Sequence, residues 1–303
     1  MAPSVAVIIL NYQGRRWLEA CCESVFATEY ASFHVFLVDN ASDDGSVEFV
    51  RERFPQVDVI LSQTNCGFSE GNNIGIRAAL KAGADYVVLL NPDTKVTPRW
   101  LAELIEVGES EPGAGILGAV QLEYEGEEFN TWTKTALPQH LDELRTPETA
   151  RRWIPVEWVE GACFAVKRQV IEDVGLLDPI YFAFYEEIDL CRRAACRGWK
   201  VALVPRCRIH HLRGGSWTAD DVIKRERDYR CDRSQFIYTL TEPRRTLTAN
   251  FAWYFITLGT KVKEVAGSFS AERAWDLARL QFDVLGSCGS LIAKWRRDRS
   301  LTN

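Results

Sequence analysis

Residues 84–93 restrict the fold of this chain more than any other stretch. They read ADYVVLLNPD, in which Tyr86 and four aliphatic residues form an apolar run between polar residues. A short run of this kind is typical of a strand buried on both faces of a parallel sheet. Pro92 ends the strand, so Asp93 is predicted to lie at the carboxyl edge of the sheet, where ligands bind in open α/β folds. There Asp93 can hold a divalent cation that holds a diphosphate, or it can cap its own turn.

The rest of the first half alternates between strand-like and helix-like patterns. Apolar runs predict strands at residues 5–10, 35–38 and 57–61, and amphipathic stretches predict helices at 15–27, up to residue 53, and at 70–81. Strands and helices that alternate at this spacing predict a parallel sheet with right-handed crossovers.

The second half is less regular. Its patterns predict a helix at 98–108, a strand at 115–122, a variable loop at 123–152, and strands at 158–166 and 199–204, the last ending at Pro205. His140, inside the predicted loop, is interpreted as a surface residue rather than a ligand. Gly161 lies at the centre of its predicted strand, which indicates a bulge or a close approach of the backbone to a neighbour.

Composition excludes several classes of protein. The 303 residues are 47% hydrophobic and 26% charged with a formal net charge of -6, which fits a soluble protein and argues against a nucleic acid as partner. The nine cysteines form no CxxC pair, so they predict reduced thiols in a cytoplasmic protein. The amino terminus lacks the basic segment of a signal peptide, and no apolar run reaches the roughly 18 residues that a membrane span needs.

Polar residues also follow the other predicted strands of the first half. Asp39 can accept a hydrogen bond from the imide N–H of uracil or thymine or from a ribose hydroxyl, or it can belong to a turn that caps a helix. Gly67, Asn72 and Asn73 lie where a backbone can approach a ligand closely, or where a helix begins. The first strand is followed by NYQG instead of G-x-G-x-x-G, which disfavours a dinucleotide-binding fold.

Four motifs carry a resemblance to a known family. In chain order they are IILNYQG, LVDNASDDGS, NCGFSEGNNIGI and LLNPDT. Together they resemble the amino-terminal half of the inverting family 2 glycosyltransferases, in particular their rhamnosyltransferase-like branch, and the resemblance extends over residues 4–217. It implies a GT-A-type α/β fold, a Rossmann-like mixed sheet flanked by helices, and a nucleotide-diphosphate sugar as donor.

The resemblance assigns roles on the donor side. It implies that Asp39 contacts the base or ribose and that Asp93 contacts the diphosphate and a metal, Mg²⁺ or Mn²⁺. The family pattern of a histidine followed five residues later by a serine falls on His211 and Ser216, which makes His211 a ligand of the metal or diphosphate. Arg213 and Ser216 then become phosphate contacts. Further candidate donor-binding residues from the same motifs are Asn11, Asn65, Gly67, Asn72, Asn73 and Asn91.

The candidate catalytic residues lie in the sequence YEEIDLCRR, residues 185–193. Acidic residues are favoured in a first helical turn, which explains Asp189 as a helix stabiliser. The aromatic run before it, residues 181–185, can form a half-buried wall that raises the pKa of a neighbouring carboxyl. The segment resembles the family's Glu-Asp motif, whose second acid deprotonates the acceptor hydroxyl. Glu187 occupies that position, one methylene longer than the usual aspartate, and Glu186 is the alternative.

Two further features concern the acceptor side and the leaving group. In the family, the segment around Trp158 and Gly161 lines the sugar and the acceptor; core packing is the alternative interpretation for Trp158. Seven Lys and Arg residues and no acid lie between Arg192 and Arg213, a cluster that can suit a diphosphate or can be solvated.

From residue 218 onward the pattern is helical. Helices are predicted at 220–239, 250–266 and 272–295, with many aromatic residues and a basic end. The domains are therefore predicted as residues 1–217, with a donor half (1–97) and an acceptor half (98–217), and a helical region (218–303). The helices either lie on the anionic inner face of a membrane or pack on the sheet or on a second copy of the chain.

Together these features predict an inverting glycosyltransferase. It would move a sugar, with L-rhamnose as first choice, from a dTDP- or UDP-linked donor to a hydroxyl of a glycan or lipid-linked glycan. The alternatives are a sugar nucleotidyltransferase and a non-catalytic nucleotide-sugar-binding protein.

Overall fold

The computed structural model describes residues 2–212, 221–268 and 270–302. The chain divides into two compact units. The first contains Met1–Phe182 and Glu186–Ser216, and the second contains Ala183–Tyr185 and Trp217–Asn303.

The first unit carries the sheet. Its strands are β1 (Val5–Asn11), β2 (Phe33–Asp39), β3 (Asp58–Leu61), β4 (Tyr86–Leu90), β5 (Thr94–Val96), β6 (Ala114–Leu122), β7 (Ile154–Val156), β8 (Cys163–Lys167) and β9 (Lys200–His211). Its helices are α1 (Arg15–Phe26), α2 (Ser46–Arg53), α3 (Gly67–Lys81), α4 (Trp100–Ser110), α5 (Thr131–Ala136), α6 (Leu141–Arg145), α7 (Arg168–Val174) and α8 (Glu186–Cys196).

The strands of the described residues form one mixed sheet in the order β3-β2-β1-β4-β8-β6-β9-β5, with β7 paired to β9. The strands β3, β2, β1 and β4 run parallel to one another, and β8 is antiparallel to both β4 and β6. The predicted mixed α/β sheet flanked by helices is confirmed. The run of parallel strands that starts at β3 ends at β4, because β8 lies beside β4 in the opposite direction, and parallel pairing occurs again between β6 and β9.

Strand β4 lies in the middle of the core, as its apolar run predicts. All five of its residues are buried. Helix α3 approaches the sheet closely on one face: a Cβ on Gly75 would lie 2.6 Å from Ile8 Cγ2, and one on Gly71 would lie 2.6 Å from Leu10 Cδ1. These two glycines therefore permit helix–strand packing, which explains them without any ligand.

Strand β9 passes through Pro205, so the predicted end of this strand is wrong. Beside β6 the register shifts: Ala119 pairs with Val204, and the next residue, Val120, pairs with Arg208. The extra residues of β9 form an irregularity at which proline, which has no N–H to donate, is tolerated.

Residues 123–152 are ordered, so the prediction of a variable loop is wrong. They contain α5 and α6, and they bury Phe129, Trp132, Leu137 and Leu144 in a satellite cluster beside β6. The predicted strand at 158–166 is also partly wrong, because β8 begins only at Cys163. Trp158 and Gly161 lie in the loop that leads into it.

The second unit is helical. It contains α9 (Asp221–Leu240), α10 (Leu247–Ser268), α11 (Ala271–Gly286) and α12 (Cys288–Arg299). The single helix predicted at 272–295 is wrong, since it is divided at Ser287. Among the helices that the structure describes, none combines the length and the apolar character required to cross a membrane.

Candidate active site

Asn11 and Asp39 meet where β1 and β2 end. They are register partners on the two parallel strands, and Asn11 Nδ2 donates to Asp39 Oδ1 at 2.9 Å. The other oxygen of Asp39 accepts from the backbone N–H of Ser42 at 2.9 Å. Asn11 Oδ1 is buried, and no hydrogen bond to it is found within the described residues. An acceptor left open beside a carboxylate suits a donor group of a ligand, such as an imide N–H or a hydroxyl.

Asn65 lies in the loop before α3, and Gly67 is the first residue of that helix. Asn40 Nδ2 donates to Asn65 Oδ1 at 3.0 Å and to the carbonyl of Gly67 at 3.1 Å. Gly67 has φ +82°, and a Cβ on it would lie 2.3 Å from the carbonyl oxygen of Phe182. Its lack of a side chain is thus required by a protein contact. The donor contacts of Asn65 and Gly67 stay predictions.

Asn72 and Asn73 are buried in α3 and bonded within the protein. Asn73 accepts from the backbone N–H of Leu177 at 3.1 Å and donates to its carbonyl at 2.8 Å. Asn72 donates to the carbonyl of Phe68 at 2.9 Å. These bonds give both residues a structural role, and their donor contacts stay predictions.

Asp93 and His211 are brought together by the pairing of β5 with β9. Thr94 lies opposite His211 in that pair, and His211 Nε2 lies 3.4 Å from Asp93 Oδ1. Asn91 Nδ2 is 3.5 Å from the same ring nitrogen. Both Asp93 and His211 are buried. The structure thus brings His211 beside Asp93 and beside Asn91, which precedes it by 120 positions in the sequence.

A carboxylate oxygen and an imidazole nitrogen at this spacing fit a divalent cation. His211 Nδ1 lies 2.9 Å from Gln121 Oε1, an atom that can only accept, so Nδ1 carries a proton and Nε2 is the ring nitrogen available to ligate a cation. The described part of the chain contains no group of three or more His, Cys, Asp or Glu residues able to hold a metal. Mg²⁺ or Mn²⁺ held by Asp93 and His211 would therefore need ligand oxygens from a diphosphate and water. Arg213 and Ser216 lie outside the described residues.

Five arginines between residues 192 and 208, in α8, in β9 and between them, form hydrogen bonds or ion pairs within the protein. These contacts account for the arginines without a ligand, and a diphosphate role for them stays a prediction. Their partners are Asp189 for Arg192 and Arg193, Asp173 for Arg197, the carbonyls of Pro147 and Glu148 for Arg206, and the carbonyl of Leu144 for Arg208.

Glu186 and Glu187 begin α8. Burial raises the pKa of Glu187 to about 7; hydrogen bonds from backbone N–H groups, that of Gly161 among them, oppose the rise, and the carboxylate of Glu160 adds to it. Burial, followed by the charge of Glu187, raises the pKa of Glu186 well above its usual range. The Oε2 atoms of both are buried, with no hydrogen-bond partner in the described ranges. A buried carboxyl with a pKa near neutrality is suited to accept a proton.

Glu160 is a site residue that the sequence analysis missed. It lies 27 positions before Glu187 and is directly followed by Gly161, whose N–H bonds the Glu187 carboxylate. The only signal in the sequence is an acidic residue beside the glycine of a segment already assigned to the acceptor.

Asp189 has a different role from its neighbours. It is fully buried, accepts from Arg192 Nη2 at 2.6 Å and Arg193 Nε at 2.8 Å, and lies 3.4 Å from the hydroxyl of Tyr181. Arg193 also donates to the carbonyl of Leu176 at 2.8 Å. Asp189 therefore fixes α8 through a buried ion network, in addition to its predicted place in the first turn.

Trp158 and Gly161 contact aromatic rings. Trp158 is half-buried and packs edge-on against Trp132 of α5, with ring centroids 5.8 Å apart. A Cβ on Gly161 would lie 3.3 Å from the ring of Phe68. Packing accounts for both observed contacts, and the predicted contacts with sugar or acceptor stay predictions.

Strained backbone occurs in the loops that carry these residues. The non-glycine residues with positive φ in the described chain are Gln13 (53°), Ala41 (65°), Phe184 (70°) and Tyr185 (71°). The first two follow β1 and β2, and the last two directly precede α8 in the sequence. Such conformations cost on the order of 1–3 kcal/mol each and cluster at functional sites.

The sheet order, with Asp39 at the end of β2 and Asp93 after β4, belongs to a GT-A-type glycosyltransferase fold, which the structural neighbours share. The mannosyltransferase PcManGT from Pyrobaculum calidifontis, solved with GDP-Man and Mn²⁺, matches 100% of this chain and 87% of its own, with a TM-score of 0.60 and 17% identity. GalNAc-T7, solved with UDP, GalNAc and Mn²⁺, matches 79% of this chain with a TM-score of 0.59 and 18% identity. This chain spans 48% of that protein. At these identities the likeness concerns the fold.

The family follows from the sequence. The model of the family "Glycosyltransferase like family 2" matches residues 2–230, so the chain belongs to this family and is a nucleotide-sugar glycosyltransferase. A curated relative from Mycobacterium tuberculosis (strain CDC 1551 / Oshkosh), N-acetylglucosaminyl-diphospho-decaprenol L-rhamnosyltransferase, is 26% identical over 252 residues. The alignment covers 73% of this chain and 80% of the relative.

Proposed function

We propose that the protein transfers a sugar, with L-rhamnose as first choice, with inversion of the anomeric carbon. The donor is a dTDP- or UDP-linked sugar and the acceptor is a hydroxyl of a glycan or lipid-linked glycan. The observation that carries the proposal is the carboxyl of the half-buried Glu187, whose Oε2 is buried and whose pKa of about 7 suits a general base. The choice of rhamnose is supported by the relative named as an L-rhamnosyltransferase.

The donor would be held at the carboxyl edge of the sheet. Asp39 and the open oxygen of Asn11 accept hydrogen bonds from the base or ribose. Asp93 and His211 would hold Mg²⁺ or Mn²⁺, which when bound supplies positive charge for the leaving diphosphate. Asn91, beside His211, helps to fix this end of the site.

Glu187 would take the proton of the acceptor hydroxyl. The acceptor oxygen forms its bond to the anomeric carbon on the face opposite the diphosphate. The bond from that carbon to the diphosphate oxygen breaks, and its electron pair leaves with the nucleoside diphosphate. The burial of Glu187 keeps its pKa near neutrality, so that the carboxylate is both populated and basic enough to act.

The two alternative functions have less support from the sequence and the structure. A sugar nucleotidyltransferase requires a basic, glycine-rich triphosphate loop after the first strand, and NYQG follows β1 here. A non-catalytic binding protein has no need of a buried carboxyl with a raised pKa, which is costly to keep.

The helical unit has two candidate partners, the membrane surface and a second copy of the chain. Exposed aromatic residues on α10 and α11, such as Phe255 and Phe282, are compatible with either.

A thermal-shift panel of nucleotide sugars, with and without Mg²⁺ or Mn²⁺, tests the donor site. We expect a dTDP- or UDP-sugar to raise the Tm by mass action, more strongly with metal. Asp93→Ala should lose the metal-dependent part, which corresponds to at least about tenfold weaker donor binding. Asp58→Ala, which alters an exposed carboxylate at the start of β3, is the matched control and should retain it. Metal dependence that persists in Asp93→Ala would reduce Asp93 to a turn residue.

The pH dependence of turnover tests the role of Glu160. A base must be ionised to act, so kcat should rise with pH through the pKa of Glu187, about 7. Glu160→Gln removes a neighbouring negative charge that raises this pKa, so the variant should stay active at lower pH than the wild type. The exposed Glu157→Gln is the control and should leave the profile unchanged. An unshifted midpoint in Glu160→Gln would show that Glu160 does not act on the base.

A further inference from the structure

Gln121 is a buried polar residue in a strand whose other residues are apolar. All nine positions of β6 are buried, and Gln121 is 1% exposed. A buried amide is costly unless its hydrogen bonds are made, so its presence needs a reason. Its amide oxygen lies 2.9 Å from His211 Nδ1 and accepts from Asn130 Nδ2 at 3.0 Å.

Hydrogen bonds connect Thr133, Asn130, Gln121 and His211 in series. The Thr133 backbone N–H, at one end of the series, determines the direction of each bond. The backbone N–H of Thr133 can only donate, and it donates to Asn130 Oδ1 at 2.9 Å as the amino-terminal cap of α5. The Asn130 amide is thereby oriented so that its Nδ2 faces Gln121. Because Nδ2 can only donate, the atom of Gln121 that receives it must be the oxygen.

The same oxygen faces His211, and in the neutral ring this places the proton on Nδ1. Reversing the Gln121 amide would place two N–H groups against each other, so the oxygen stays toward Nδ1 of His211. The ring then carries a proton on Nδ1, which leaves Nε2, 3.4 Å from Asp93 Oδ1, as the nitrogen able to ligate a cation. Asn91 Nδ2, a donor at 3.5 Å, is compatible with an unprotonated Nε2.

We propose that Gln121 is a positioning residue that holds His211 in the Nδ1–H tautomer, so that Nε2 can ligate the cation that binds the diphosphate. This inference rests on the metal role of His211 in the proposed function. It also gives residues 123–152 a purpose in the site, since the cap of α5 orients the histidine through two amides.

The first test measures Mn²⁺ affinity by calorimetry in the presence of dTDP or UDP, without any turnover. Gln121→Met removes the acceptor and keeps the side-chain volume, and we expect Mn²⁺ to bind roughly 10–100-fold more weakly, the usual effect of losing such a partner. Gln121→Glu keeps an oxygen toward Nδ1 and should restore affinity to within a few-fold of wild type.

Thr133→Val is the matched control. It removes the hydroxyl that donates to the backbone carbonyl of Gln121 at 2.8 Å. The side-chain amide of Gln121, which faces His211, is left in place. It should lower the Tm while Mn²⁺ affinity stays near wild type. Equal losses of Mn²⁺ affinity in Gln121→Met and Thr133→Val would mean a merely structural effect and would overturn the proposal, as would wild-type affinity in Gln121→Met.

The second test determines the tautomer by ¹⁵N NMR of the protein labelled at its four histidines. We expect His211 in the Nδ1–H form in the wild type and in Thr133→Val, and loss of that form in Gln121→Met. An unchanged tautomer in Gln121→Met overturns the role of Gln121. A wild type that binds no Mn²⁺ with nucleotide instead overturns the metal site of the proposed function, so the two failures are distinguishable.

Discussion

Glu187→Gln is expected to reduce turnover by about two to four orders of magnitude, the usual contribution of general-base catalysis. Glutamine preserves the shape of the side chain and can accept the N–H of Gly161, but it cannot accept a proton from the acceptor. Donor affinity should therefore stay near wild type. The measurement is kcat with a competent acceptor, together with the Kd of the donor.

The same substitution should make the protein more stable at pH 8. The pKa of Glu187 is raised in the folded protein, so the folded state binds a proton more tightly than the unfolded state between about pH 4.5 and 7. Stability is therefore lost as the pH rises through this window. The glutamine variant has no charge to bury, and we expect it to gain roughly 1–3 kcal/mol at pH 8 and little at pH 4. A variant that is inactive and yet more stable cannot owe its inactivity to misfolding.

Glu186→Gln separates the two candidate bases. Its pKa is also raised by burial, so it too should gain stability at pH 8, but it should lose less turnover. If Glu187→Gln remains active and Glu186→Gln does not, the base is Glu186. If both remain active, the inverting mechanism has lost its central residue.

The parallel half of the fold was predictable because its signals are local. The apolar runs of β1, β2 and β4 each specify a largely buried strand within a few residues, the shorter run of β3 specifies an outer strand, and the four motifs lie at the ends of those strands. The passage of β9 through Pro205 depends on an irregular pairing with β6, which no local pattern reveals. Residues 123–152 contain too few apolar residues to show a period, although together they bury a cluster.

The site was predictable where a motif carries it and unpredictable where distant segments meet. Asp39, Asp93 and Glu187 follow strands or begin a helix at places the sequence marks. Gln121 lies 90 positions from His211, and the pairing of β6 with β9 alone brings them together. For Arg192 and Arg193 the sequence suggested a contact that differs from the one observed. Their charge suggested phosphate binding, but both form ion pairs with Asp189, a buried residue of the same helix.

Asp189→Asn is expected to destabilise the first unit by about 3–5 kcal/mol, the usual cost of removing one partner from a buried ion pair. Asp189 accepts from Arg192 at 2.6 Å and Arg193 at 2.8 Å, and all three side chains are at most 3% exposed. Its favourable position in the first turn of α8 contributes only about 0.3–1 kcal/mol, so the loss should far exceed that of a helix dipole contact.

Denaturant unfolding at pH 7 measures the effect. Asp173→Asn is the matched control, since Asp173 pairs with Arg197 at 3.0 Å while both side chains are partly exposed, and its loss should stay within about 1 kcal/mol. Asp189→Asn and Glu187→Gln thus alter carboxylates two positions apart in α8 with opposite effects on stability. The ion network would lose its assigned role if Asp189→Asn cost no more than Asp173→Asn. The reason for the opposite signs is that the Asp189 charge is compensated by two arginines, whereas burial, and after it the carboxylate of Glu160, disfavours the Glu187 charge.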